Sequence, residues 1–98
     1  MNKTLVTGYV VSVEHVNFYA DKWRWEVIVD VHNPRLRKPQ QVILYAYSEK
    51  AAAECARLYP EQLAEFTGEM SCRKGRDDKW YSEFAIAFVD PYEVDPEA

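Results

Sequence analysis

From Trp23 to His32 the chain alternates, with Trp23, Trp25, Val27, Val29 and Val31 at odd positions and, Ile28 apart, the polar Arg24, Glu26, Asp30 and His32 at even ones. Period two belongs to a β-strand with one buried face; a helix would scatter the same residues around its circumference. The odd positions are therefore expected inward, and Asn33-Pro34 stops the run. Trp25 is read as a core residue, and Trp23, at the strand's start, as one that can reach the surface.

Four further runs share this character. Residues 4–16, TLVTGYVVSVEHV, are rich in Val, Thr and Tyr, which fit a pleated surface. Gly8 within them is expected to mark a bulge or bend that lets one strand serve both halves of a small barrel. Residues 17–22 read as a connection. Residues 41–47, QVILYAY, offer Val42, Leu44 and Ala46 to one face and Gln41, Ile43, Tyr45 and Tyr47 to the other. Ser48 is a natural N-cap with Glu49 in the first turn, so residues 49–59 read as a helix with Ala52, Cys55, Ala56 and Tyr59 along its apolar stripe. Pro60 is its end signal. Residues 63–74 form a fourth strand with Gly68 as a bulge, and 75–79 a turn. Residues 80–89 form a fifth strand with Ser82, Phe84, Ile86 and Phe88 on one face, and Asp90-Pro91 opens a tail.

The order is β-β-β-α-β-β in 98 residues. Open sheet edges invite aggregation, so closure is expected. That predicts an all-β fold: a five-stranded Greek-key barrel of the oligonucleotide-binding (OB) type with one short helix between strands 3 and 4. Residues 1–90 are assigned to the barrel and 91–98 to a short acidic tail. A domain this small buries only roughly 60–65% of the surface its unfolded chain exposes, so a subunit interface would add to its core. A homo-oligomer, dimer or tetramer, is expected.

With 48% hydrophobic and 14% aromatic residues the chain is not disordered. Its net charge of −4 argues at first against a polyanionic partner. Yet four of the 16 acids, Asp90, Glu93, Asp95 and Glu97, fall after residue 89, which leaves 12 acids against all 12 bases in the body. A neutral body can carry a local basic groove. Arg35, Arg37 and Lys38 cluster between strands 2 and 3; Arg73, Lys74, Arg76 and Lys79 surround the last hairpin, where Asp77 and Asp78 offset two of them.

No run approaches the ~20 apolar residues that span a bilayer, and the N-terminus lacks a signal-peptide core. The chain is read as cytoplasmic, with no membrane partner. Cys55 and Cys72 stand 17 positions apart without a CxxC and read as reduced thiols. His15 and His32 lie on different strands, and neither HExxH, GxSxG nor a glycine-rich phosphate loop is present. Adjacent exposed carboxylates at Asp77-Asp78 make a poor acid/base pair. No enzyme, cofactor or metal is expected.

The stretch VILYAYSEKAAAECARLYPEQLAEFTGEMSCRKGRDDKWYSEFAIAF resembles the bacterial single-stranded-DNA-binding protein family. Tyr47, Ala51, Leu58, Phe66, Gly68, Arg73, Lys74 and Glu83 fit its pattern, and NKTLVTGYV resembles its opening strand. Gln41 stands where the family often has an aromatic, and Gly75 where a Trp often follows Arg-Lys. The family's long flexible tail is not expected here, and the alternative resemblance is to its small tail-less relatives, typified by primosomal replication protein N, or to phage- or plasmid-borne versions. The resemblance implies an OB fold that binds single-stranded DNA without sequence specificity in replication, recombination or repair, in company with other replication proteins. Single-strand binding needs flat aromatics for bases and cations for phosphates. Bases are assigned to Tyr45, Tyr47 and Trp80, and phosphates to Arg35, Arg37, Lys38, Arg73, Lys74 and Arg76. Trp80 and Tyr81 alternate sides, so only one can face a ligand. The rival reading is a protein-interaction barrel that has lost its nucleic acid, and a third is an RNA-binding one.

Overall fold

In the computed structural model residues 3–32 and 34–92 are described. The elements are β1 (Thr4–Tyr19), β2 (Lys22–Val31), β3 (Gln40–Ala46), α1 (Glu49–Cys55), β4 (Leu63–Lys74) and β5 (Trp80–Pro91). The strands close into a barrel in the order β1-β2-β3-β5-β4. This is the five-stranded OB barrel, with its helix between β3 and β4 as the sequence predicts.

β1 makes closure possible by serving two partners. Thr4 to Tyr9 pair with β4, and Tyr9 to Tyr19 pair with β2. The register slips between Val10 and Ser12, not at Gly8. Gly8 matters for another reason. A Cβ there would stand 2.4 Å from the Asp30 carbonyl oxygen, so its bare backbone lets β2 cross close to β1.

The odd positions of β2 point inward as expected. Val27 and Val29 are fully buried, Trp25 packs against the core's edge, and Trp23 is 53% exposed. Leu44 and Ala46 of β3, Ala64 and Phe66 of β4, Phe84 and Ile86 of β5 and Val10 of β1 complete the barrel interior. Among the described residues no polar or charged side chain is buried.

Four expectations need correction. β1 runs on to Tyr19 because the hairpin closes with Ala20 and Asp21 alone. Ala20 adopts a φ of 46°, and the Asn17 side-chain amide donates to the carbonyls of Ala20 and Lys22. No glycine marks this turn, so composition hides it. The helix is shorter than residues 49–59: after Cys55 the chain turns through Arg57 N–H to the Glu54 carbonyl and Leu58 N–H to that of Cys55. Its buried stripe is Ala51 and Cys55, with Leu58 beyond the helix, while Ala56 and Tyr59 are exposed.

On β5 Phe88 faces solvent and not the core. Thr67 pairs with Phe88 but Gly68 with Ile86, so Ala87 is an extra residue and every side chain after it changes face. Val89 turns inward in place of Phe88, and its N–H donates to the Glu54 carboxylate of the helix at 2.8 Å. Finally, β5 continues through Asp90 and Pro91, and Tyr92 N–H donates to the Leu63 carbonyl. Residues 93–98, the rest of the acidic stretch, lie outside the described residues.

Candidate nucleic-acid interface

The outward positions of β2, β3, β4 and β5 meet on one face of the barrel. Antiparallel register sets Glu26 opposite Tyr45, Ser71 opposite Glu83 and Arg73 opposite Tyr81. The parallel pairing of Tyr45 with Ala85 brings β3 and β5 side by side.

Arg24 is the centre of this face. Its guanidinium carbon lies 4.1 Å from the Tyr45 ring centroid, 4.7 Å from that of Phe18 and 5.8 Å from that of Tyr47. Its Nε donates to Glu26 Oε2 at 3.1 Å and its Nη1 to the Tyr47 hydroxyl at 2.9 Å. That hydroxyl in turn donates to Glu83 Oε2 at 2.9 Å, and Glu83 Oε1 stands 3.6 Å from Arg24 Nη1. Only 17% of the Arg24 side chain is exposed, so the cation is partly desolvated. Cation–π contacts of this kind contribute on the order of 1 kcal/mol each. Burial alone would lower the Arg24 pKa, but its hydrogen bonds to Tyr47 and Glu26 outweigh that and raise it. Burial, and then the hydrogen bond to Glu83, raises that of Tyr47.

Beside this cluster is a hollow of about 180 Å³ lined by Arg24, Tyr45, Ser71, Arg73, Tyr81, Ser82 and Glu83. It adjoins a cationic notch of about 330 Å³ lined by Arg73, Lys74, Gly75, Arg76 and Tyr81. Arg73 and Tyr81 belong to both.

Tyr81 is held in place locally. Its hydroxyl donates to Asp77 Oδ2, while Asp77 Oδ1 accepts from Lys79 N–H. The hydrogen bond from Tyr81 lowers the Asp77 pKa, and Asp77 raises that of Tyr81. Gly75 makes room for the ring: a Cβ there would lie 2.7 Å from Tyr81 Cε2 and 2.7 Å from Asp77 Oδ1. An aromatic thus stands beside the position where the resemblance leaves one missing.

Of the residues assigned from sequence, Tyr45, Arg73, Lys74 and Arg76 come together around these two hollows. Tyr47 lies next to them, its ring 6.3 Å from that of Tyr45. Trp80 is 71% exposed, pairs with Lys74 across the ribbon and lines neither hollow. Arg35, Arg37 and Lys38 are exposed in the loop that feeds β3. Because β3 and β5 run parallel, that loop and the 75–79 hairpin emerge at the same end of the sheet. Lys74 Nζ is 2.9 Å from Asp78 Oδ1, but both side chains are exposed, so the pair holds Lys74 weakly.

Arg24, Phe18, Tyr81 and Glu83 are the residues sequence reading did not assign. Arg24 had a signal: it shares the outward parity of β2 that must abut Tyr45 once β2 and β3 pair. Phe18 was hidden in the supposed connection. Among the described residues no group of three His, Cys, Asp or Glu is placed to hold a metal ion, and no helix is long and apolar enough to cross a membrane.

The sequence matches no protein-family model and no curated protein sequence. The backbone does resemble solved structures. A mitochondrial single-stranded-DNA-binding protein from Saccharomyces cerevisiae superposes with a TM-score of 0.75 at 6% identity, covering 92% of this chain and 94% of that one. The single-stranded-DNA-binding domain of a Synechococcus protein gives 0.67 at 13%, covering 92% and 94%. A Plasmodium falciparum single-stranded-DNA-binding protein in complex with single-stranded DNA gives 0.70 at 12%, covering 95% and 96%. The chain has the fold of these proteins, as its resemblance to the bacterial family implies.

Proposed function

We propose that this barrel binds single-stranded DNA, without overall sequence preference, as a non-enzymatic component of replication, recombination or repair. The observation that carries the reading is the pairing of the two hollows through Arg73 and Tyr81: flat rings line one and three cations the other. A base seated against Tyr45 or Tyr81 leaves its phosphate within the notch of Arg73, Lys74 and Arg76. Arg35, Arg37 and Lys38 extend the cationic path at the same end of the sheet. The similar barrel solved with single-stranded DNA supports this use of the fold.

The test is an oligo-dT titration across a salt series, read by intrinsic Trp fluorescence; Trp80, at 71% exposed, is the reporter nearest the hairpin. Affinity is expected to fall as salt rises, with a log–log slope of about −2 to −4, since each neutralised phosphate contributes about −0.7 on a single strand. No change in fluorescence or mobility at low salt, with oligo-dT and oligo-dA alike, removes the reading. Tighter binding of oligo-U assigns RNA in place of DNA.

One observation favours the protein-interaction reading. Arg24 already covers Tyr45, and Glu26 and Glu83 set two carboxylates on the same face. A stoichiometric protein retained from nuclease-treated host extract, with no oligonucleotide binding, would decide for it.

A second copy of the chain is also proposed as a partner. An apolar groove of about 600 Å³, lined from all five strands and sharing Tyr45 and Ser82 with the base hollow, has Leu5 59%, Ile43 46% and Met70 37% exposed along it. Contiguous apolar surface of this kind marks an interface.

A further inference from the structure

We propose that the hollow between Tyr45 and Tyr81 is a base-reading pocket that takes guanine in preference to thymine. This rests on the single-strand reading above and names what its enclosed part selects. At about 180 Å³ the pocket is smaller than the ~300 Å³ and more of drug-sized ligand sites, so it accommodates one planar ring system and not a stretch of chain. Its flat groups are Tyr45, the Arg24 guanidinium against it, and Tyr81. Aromatic rings and guanidinium planes both stack on bases. Stacking alone does not choose among them.

The choice comes from Glu83, the one carboxylate in the lining. A negative charge weakens attraction for a polyanion, and at this face Arg24 and the Tyr47 hydroxyl offset only part of it, which leaves the carboxylate to a ligand's donors. An ionised carboxylate only accepts hydrogen bonds, with about four lone-pair sites on two oxygens. Here Oε2 accepts from Tyr47, and Oε1 lies 3.6 Å from Arg24, so acceptor capacity remains on both.

Guanine presents two adjacent N–H donors, N1–H and the 2-amino group, spaced to meet two carboxylate oxygens, with the O6 acceptor beside them for Arg24 or Arg73. Thymine presents one N–H between two carbonyls, which sets a carbonyl lone pair against the second carboxylate oxygen. Adenine and cytosine each offer one amino group next to an acceptor ring nitrogen. The expected order is guanine first and thymine last. The reverse reading, in which Glu83 only anchors Arg24 and Tyr47, predicts no base preference.

The test compares nonamers of repeating TTG, TTA and TT-inosine with oligo-dT by competition, in lithium buffer to suppress quadruplexes. The wild-type chain is expected to hold the guanine nonamer on the order of tenfold tighter than oligo-dT, the discrimination typical of a bidentate base contact. Inosine, which lacks only the 2-amino group, should lose most of that gain. Glu83→Gln should bring the guanine and thymine affinities together, while Glu69→Gln, which removes a carboxylate from exposed β4 surface outside the pocket, should keep them apart. Equal or tighter binding of oligo-dT, inosine equal to guanine, or a preference surviving in a Glu83→Gln variant that unfolds as the wild type does overturns the inference. Binding of all nonamers without preference removes this pocket's selectivity alone. Binding of none removes the single-strand reading as well.

Discussion

The Cys55 thiol is fully buried where the helix meets the barrel, and burial beside Glu54 pushes its pKa up to about 12. Its ordinary value is near 8.5. The unfolded chain therefore ionises this thiol first as pH rises. The stability that comes from keeping it neutral is complete below about pH 8.5 and is lost progressively towards pH 12. Cys55→Ala is expected to cost about 1 kcal/mol at pH 7, because a small void replaces the sulfur, and to flatten the alkaline fall in urea stability. An unchanged alkaline slope would refute this. Cys55 was also legible in the sequence as a core-facing helix residue. Arg24 is harder to read: parity places it on the outer face, but only the pairing of β2 with both β1 and β3 shows that Phe18, Tyr45 and Tyr47 surround it. The choice of Tyr81 over Trp80 is not legible, because no local signal tells which of two adjacent aromatics a Gly75-bearing turn will draw in.

Element existence could be read from the sequence, and β4 even to both its ends, whereas the C-terminal ends of β1, the helix and β5 could not. Period two marked β2 from Trp23, and the Ala-rich run after Ser48 marked the helix, since a capped segment of strong helix formers has few alternatives. The ends depend on tertiary demands. The helix stops at Cys55 because the chain must turn to feed β4, where Glu61 adopts a φ of 73° and donates its N–H to the Val10 carbonyl. On β5 the extra residue Ala87 is invisible in a pattern that alternates on both sides of it. This bulge yields a mutational contrast opposite to the sequence reading. Val89→Ala should cost about 1.5 kcal/mol through lost core contact. Phe88→Ala should cost only about 0.5 kcal/mol, since the ring is 51% exposed and is covered by Lys50 at 4.3 Å. Urea titrations with equal m-values would check both, and a larger loss at Phe88 would contradict the assigned register.

For the whole molecule, the barrel closes in the order β1-β2-β3-β5-β4, but β1 meets β4 only over Thr4 to Tyr9, so both strand edges beyond the barrel and side-chain surface are open to association. The groove bearing Leu5, Ile43 and Met70 is the apolar candidate. Light scattering should give at least twice the chain mass, and Ile43→Glu, which sets a charge in the groove without touching the core, should reduce it to one. A wild-type chain that is monomeric at high concentration would exclude this interface. The barrel's two thiols also differ in kind: Cys55 is sealed inside, whereas Cys72 is exposed one residue before Arg73. A maleimide dye at neutral pH would therefore attach at Cys72 without mutagenesis, next to the cationic notch. With a quencher placed at the 5′ or the 3′ end of an oligonucleotide, that single built-in handle would report in which direction the strand crosses the protein.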